Sequence, residues 1–127
     1  MEMKTILVID DEKIVRGTLR RILTSIGYTV IEASNGAVGI EKISESLPNL
    51  VICDILMPTK EGIETIRELH RDYPELPIIA ISGGGRFGTS DFLPHAEMFG
   101  AHAVLRKPFS VDEVIATVDA LLGADGT

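Results

Sequence analysis

The chain has 127 residues, 45% of them apolar, a net charge of −7 and one cysteine. That length suits one domain with a real core, the lone Cys53 excludes an internal disulfide, and the acidic balance argues against a binder of nucleic-acid backbones, which needs basic patches. No apolar run nears the roughly 18 residues that span a bilayer, and no early stretch has the layout of a secretory signal. The expectation is a soluble, cytoplasmic protein that touches neither nucleic acid nor membrane directly.

Short β-rich runs alternate with longer stretches of helical period, the pattern of βαβ units in a parallel α/β sheet. The first strand is expected at 5–9, followed by Asp10, Asp11 and Glu12. A helix then follows in which Ile14, Leu19, Ile22, Leu23 and Ile26 recur at helical spacing and stop before Gly27, a residue suited to the position past a helix end. A second strand is expected at 28–33, and Val38, Ile40 and Ile43 mark the next helix. The runs at 49–53 and 77–82 are apolar throughout, as in central strands covered by helices on both faces. Between them Ile63, Ile66 and Leu69 mark a third helix. A fourth helix has to fit into SGGGRFGTSDFLPHAEMFGA, where Pro94 permits it to begin no earlier than an Asp91 cap. The last strand is expected at 102–106 and the fifth helix carries Val111, Val114, Ile115, Val118, Leu121 and Leu122. One domain over 1–123 and a flexible tail at 124–127 complete the reading.

Polar residues gather at the strand ends: Asp10-Asp11 after ILVI, Asp54 after LVIC, Ser82 closing IIAIS and Lys107 after AVLR. The carboxyl edge of an open α/β sheet is where ligands bind. Taken singly, each position has an ordinary use. Acids between strand and helix cap the helix, a lysine snorkels at the surface, and a serine satisfies a strand end. Asp54 changes the weighing, because a carboxylate at the end of an apolar buried strand needs a partner. Crowded carboxylates raise one another's pKa unless a cation compensates. Oxygen donors without any zinc-spaced Cys/His set favour Mg²⁺, with Mn²⁺ as the alternative ion. Cys53 reads as inert core, and His70, His95 and His102 share no ligand spacing.

Together VIDDE, VICDILMP, AISGG and LRKPF, in this order and at these separations, resemble the receiver domain of two-component response regulators across the whole chain. The resemblance implies a doubly wound five-stranded parallel sheet of order 2-1-3-4-5 with helices on both faces, the flavodoxin-like receiver fold. It implies Asp54 as phosphoacceptor. Asp11, Asp54 and the backbone carbonyl of Leu56 would bind Mg²⁺ directly, and Asp10 through water. Lys107 would pair with a phosphoryl oxygen across a cis Lys107–Pro108 bond, Ser82 would hydrogen-bond the phosphoryl group, and Gly83 would leave it approachable. Val104 departs from the pattern, standing where many receivers carry an aromatic residue. The glycine-rich loop 83–90 is therefore expected to carry the signal.

The function so implied is a stand-alone switch, phosphorylated by a sensor histidine kinase or phosphotransfer protein and read by a downstream effector protein. It would catalyse only its own phosphorylation and dephosphorylation, as a monomer, with a phosphorylation-dependent dimer as the alternative. A Mg²⁺-dependent aspartyl-phosphate phosphohydrolase is opposed by Leu56, which stands where a second acid belongs, and by the lack of a cap domain. An unphosphorylated receiver-like binding module is opposed by the complete acid, hydroxyl and lysine set.

Overall fold

The computed structural model describes residues 3–55, 61–82 and 100–123. Strands β1 (Thr5–Ile9), β2 (Thr29–Ala33), β3 (Leu50–Asp54), β4 (Ile78–Ser82) and β5 (Ala103–Arg106) form one sheet of order β2-β1-β3-β4-β5. Every neighbouring pair is parallel. Helices α1 (Lys13–Ser25), α2 (Gly36–Glu45), α3 (Glu61–Asp72) and α4 (Val111–Leu122) connect and flank them. The helix after β5, α4 here, is the fifth of the expected helices. The expected fourth helix, the loop 83–90, Leu56, Gly83 and the tail 124–127 lie outside the described residues. Among the described residues no helix is long and apolar enough to cross a membrane.

Strand alternation divides the core in two. Leu7, Ile9, Val51, Cys53, Ile78 and Ala80 face Ile43 of α2 and Ile66 and Leu69 of α3. Ile6, Val8, Leu50, Ile52, Ile79 and Ile81 face Leu19 and Leu23 of α1 and Val114 and Val118 of α4. Burial of β3 and β4 on both sides explains why their sequences show no polar alternation. Cys53 is fully buried on the α2–α3 side, as its apolar setting implied.

Element ends follow local chemistry. Past α1, Tyr28 N–H donates to Leu23 and Gly27 N–H to Thr24. Gly27 has φ of 102°. That is the paired closure of a helix ending on a left-handed residue. Ser110 and Glu113 form a reciprocal capping box at the start of α4.

The structure corrects the expected apolar stripes at their ends. Ile14 is 83% exposed, Val111 53% and Ile26 40%. Val15, Leu19, Ile22 and Leu23 form the packed face of α1. At 100° per residue Ile14 lies off that face, and Val111 precedes the first inward residue of α4, Val114. Strand boundaries move by one residue as well. β3 runs from Leu50 to Asp54, so Asp54 is its last residue.

Candidate functional site at the carboxyl ends of the strands

Parallel pairing places the ends of β1, β3, β4 and β5 side by side. Asp54 is in register with Ile81, and Ser82 with Arg106. Asp10 follows β1, with its N–H donating to Ala33 O across to β2. Lys107 follows β5, and its N–H donates to Ser82 O at 2.8 Å. The Lys107–Pro108 peptide bond is cis.

Lys107 is the hub. Its Nζ lies 2.8 Å from Glu12 Oε1 and 3.4 Å from both Asp10 Oδ2 and Asp54 Oδ2. Asp10, Glu12 and Asp54 offer carboxylate oxygens that all lie within 4.8 Å of one another. Asp10 is fully buried and Asp54 only 3% exposed. Three carboxylates against one ammonium leave the group two negative charges in excess.

Burial and this charge excess both act on Asp10. Burial pushes its carboxyl up from 3.8 to about 6, and the neighbouring Asp54 charge adds to the rise. The Glu12 N–H and the Lys107 ammonium oppose it without cancelling it. Burial alone would depress the Lys107 pKa, yet the Glu12 hydrogen bond and the charges of Asp54, Asp10 and Glu12 outweigh it and raise the pKa.

Among the described residues, two buried side-chain polar atoms accept or donate no hydrogen bond: Asp10 Oδ2 and Ser82 Oγ. The Lys107 ammonium 3.4 Å from Asp10 Oδ2 is an ion-pair neighbour rather than a hydrogen-bond donor. By contrast Asp10 Oδ1 accepts from Glu12 N–H at 2.8 Å. Buried polar groups are almost always paired, so two orphans at one sheet edge ask for a ligand. Excess negative charge, an all-oxygen donor set and a carboxylate oxygen without a hydrogen bond fit a hard divalent cation such as Mg²⁺.

Of the residues singled out from the sequence, the structure brings Asp10, Asp54 and Lys107 together and buries Ser82 at the end of the adjoining β4. Asp11 is exposed and stands outside the converging carboxylates; Glu12 occupies that place. The Glu12 pairing with Lys107 escaped the sequence reading, since the two residues are 95 positions apart. Gly62 escaped it too. A β-carbon there would collide with the Asp54 carbonyl oxygen and the Ile55 backbone, so α3 seats directly against the strand end that carries Asp54. The only sequence signal was a glycine inside a helical period.

Residues 6–119 match the family described as response regulator receiver domain. The chain is 37% identical over 117 residues to response regulator MprA of Mycobacterium ulcerans, covering 92% of this chain and 49% of that protein. Its counterpart from Mycobacterium leprae is 34% identical over the same length, with 50% of that protein covered. The chain thus spans about half the length of these curated relatives. The crystal structure of the receiver domain of NtrX from Brucella abortus superposes with a TM-score of 0.86 at 30% identity, covering 92% of this chain and 97% of that one. A CheY-like receiver domain protein from Methanospirillum hungatei gives 0.82 at 29% identity, with 95% and 94% covered.

Proposed function

The chain belongs to the response regulator receiver domain family of two-component signalling, and on that premise we propose that Asp54 accepts a phosphoryl group in a Mg²⁺-dependent reaction that switches protein–protein contacts. The observation that carries this reading is the sharing of one ammonium. Lys107 stands at 3.4 Å from the buried carboxylates of both Asp10 and Asp54, which remain in charge excess.

Asp54 supplies the nucleophile. One of its oxygens attacks phosphorus, a P–O bond forms as the donor's P–N bond breaks, and the donor imidazole leaves with the electron pair. The product is an acyl phosphate on the β3 end. Lys107, already beside Asp54 Oδ2, takes the added negative charge of a phosphoryl oxygen. Ser82 Oγ, buried and without a hydrogen-bond partner among the described residues, donates its hydrogen bond to another. Asp10, Asp11, Asp54 and the Leu56 carbonyl are assigned to the metal. When bound, Mg²⁺ supplies charge neutralisation for the transferring group. Later hydrolysis returns Asp54 to its carboxylate, so the protein processes only its own modification.

A phosphodonor protein has a surface to dock on beside the site. Ile14, Val15 and Thr18 of α1 line an open, largely apolar hollow of about 240 Å³ with Lys107, Pro108 and Phe109. A sensor histidine kinase or a phosphotransfer protein is the partner class assigned to it, and a downstream effector protein reads the result.

Intact mass after incubation with a small phosphodonor and Mg²⁺ tests the reading. A single labile phosphoryl adduct is expected on the wild type, and none on Asp54→Asn or in excess EDTA. An adduct that survives either change overturns the assignment of Asp54 and the metal.

A further inference from the structure

Asp11 presents a difficulty for the site as proposed: it is exposed and lies on the turn between β1 and α1. Besides the Glu12 N–H bond to Asp10 Oδ1, the backbone around it is held by Arg16. Arg16 Nη1 donates to the Asp10 carbonyl at 2.7 Å. Arg16 N–H donates to the Glu12 carbonyl at 3.1 Å. The first bond comes from the side chain and holds the peptide that joins Asp10 to Asp11, while the second is the opening backbone bond of α1.

The guanidinium is itself anchored. Arg16 Nε donates to Glu32 Oε1 at 3.0 Å, and Arg20 Nε holds the other oxygen of the same carboxylate. Glu32 lies on β2, in register with Val8 of β1. Its pKa is lowered, first by the Arg20 hydrogen bond and also by Arg16, against the effect of burial. The Arg16 side chain is only 14% exposed, and a planar guanidinium can bond a carboxylate and a carbonyl at once where an ammonium has no such fixed fork. The chain of contacts runs from β2 through Glu32 and Arg16 to the peptide that joins Asp10 to Asp11.

From this geometry we infer that Arg16, braced by Glu32, is a positioning residue for the metal site, fixing the Asp10–Asp11 peptide so that both carboxylates are presented to Mg²⁺. The inference rests on the Mg²⁺-dependent reading above. Residues that orient ligands from behind typically carry about 10- to 100-fold in metal affinity. Arg20 provides the internal control, since it shares Glu32 but has no bond to the Asp10–Glu12 turn among the described residues.

The test is a titration with Mg²⁺ alone, followed by backbone amide shifts, on wild type, Arg16→Met, Arg20→Met and Glu32→Gln. The expected result is a loss of affinity of at least about tenfold for Arg16→Met, a smaller loss for Glu32→Gln, and nearly wild-type affinity for Arg20→Met. Arg16→Lys should not restore the fork. If Arg16→Met does not fold, the Glu32→Gln and Arg20→Met pair decides the matter in the same way. Equal affinity for wild type and Arg16→Met, or equal losses at Arg16 and Arg20, overturns the inference while leaving the proposed function standing. A wild type that takes up no Mg²⁺ overturns both.

Discussion

The two ends of this sheet are built to different rules. At the amino ends of the strands, polar groups are paired across the gaps between elements. Thr5 N–H donates to Asn49 Oδ1 while Asn49 N–H returns to Thr5 O. Lys4 Nζ closes on the last turn of α4 through Leu122 O, and Ile78 N–H donates to His102 Nδ1. At the carboxyl ends, three carboxylates crowd one ammonium, and two buried polar atoms have no hydrogen-bond partner among the described residues. The same parallel sheet supports both ends. The difference is that one end pairs its polar groups within the chain while the other leaves carboxylate charge in excess, the setting in which the proposed cation and phosphoryl group would bind.

The largest expected effect follows from Asp10. Its carboxyl is raised from 3.8 to about 6, foremost by burial. Between those values the folded chain holds a proton that the unfolded chain has released. Asp10's contribution to the stability of the metal-free protein is therefore most favourable below the window, falls as pH rises through about 4 to 6, and is flat above it. The loss is on the order of 3 kcal/mol. Asp10→Asn keeps a neutral side chain at all pH values, so the variant should lose that slope and be more stable than wild type at pH 7. Urea unfolding across pH without divalent ions measures this, and a less stable Asp10→Asn at pH 7 would break the contrast between the two ends. Excess Mg²⁺ should raise the wild type at pH 7 and do less for the variant.

A smaller effect is expected where α3 meets the site. Gly62→Ala gains about 1 kcal/mol in helix propensity but drives a methyl group into the Asp54 and Ile55 backbone. Overpacking of this kind typically costs about 1–3 kcal/mol. A net loss of about 1 kcal/mol is expected, together with weakened Mg²⁺ uptake, because Asp54 must shift. A stabilised variant with unchanged metal affinity would show that the helix seat is not what holds Asp54.

The smallest effect belongs to the opposite end. Asn49→Ala removes one partner of the Thr5 pair at an exposed position, which should cost about 0.5–1 kcal/mol. Phosphoryl uptake should be unchanged. A defect in uptake there would mean that the two ends are coupled through the sheet.

Much of this molecule was legible in its sequence. Five β-rich runs separated by helical periods specify a parallel sheet, and the two that are apolar throughout mark the strands buried on both faces. Asp54, Ser82 and Lys107 were visible because strand ends are local features, and parallel order brings all such ends to one edge. Ile14 misled because a hydrophobic residue at near-helical spacing reads as core unless the rotation of the helix is known. Glu12 was seen as one acid in a row, and nothing local marked it as the partner of a lysine 95 positions away.

What the sequence determined by itself was therefore the set of elements, their order and the residues at their carboxyl ends, since these depend on periodicity and chain neighbours. Tertiary structure alone decided that Glu12 closes on Lys107, that Arg16 grips the Asp10 carbonyl, that Ile14 faces outward beside Pro108, and that Gly62 clears the Asp54 backbone. Each of those depends on how far a helix is rotated and how closely it sits on the sheet, quantities set by packing across the whole domain rather than by any segment.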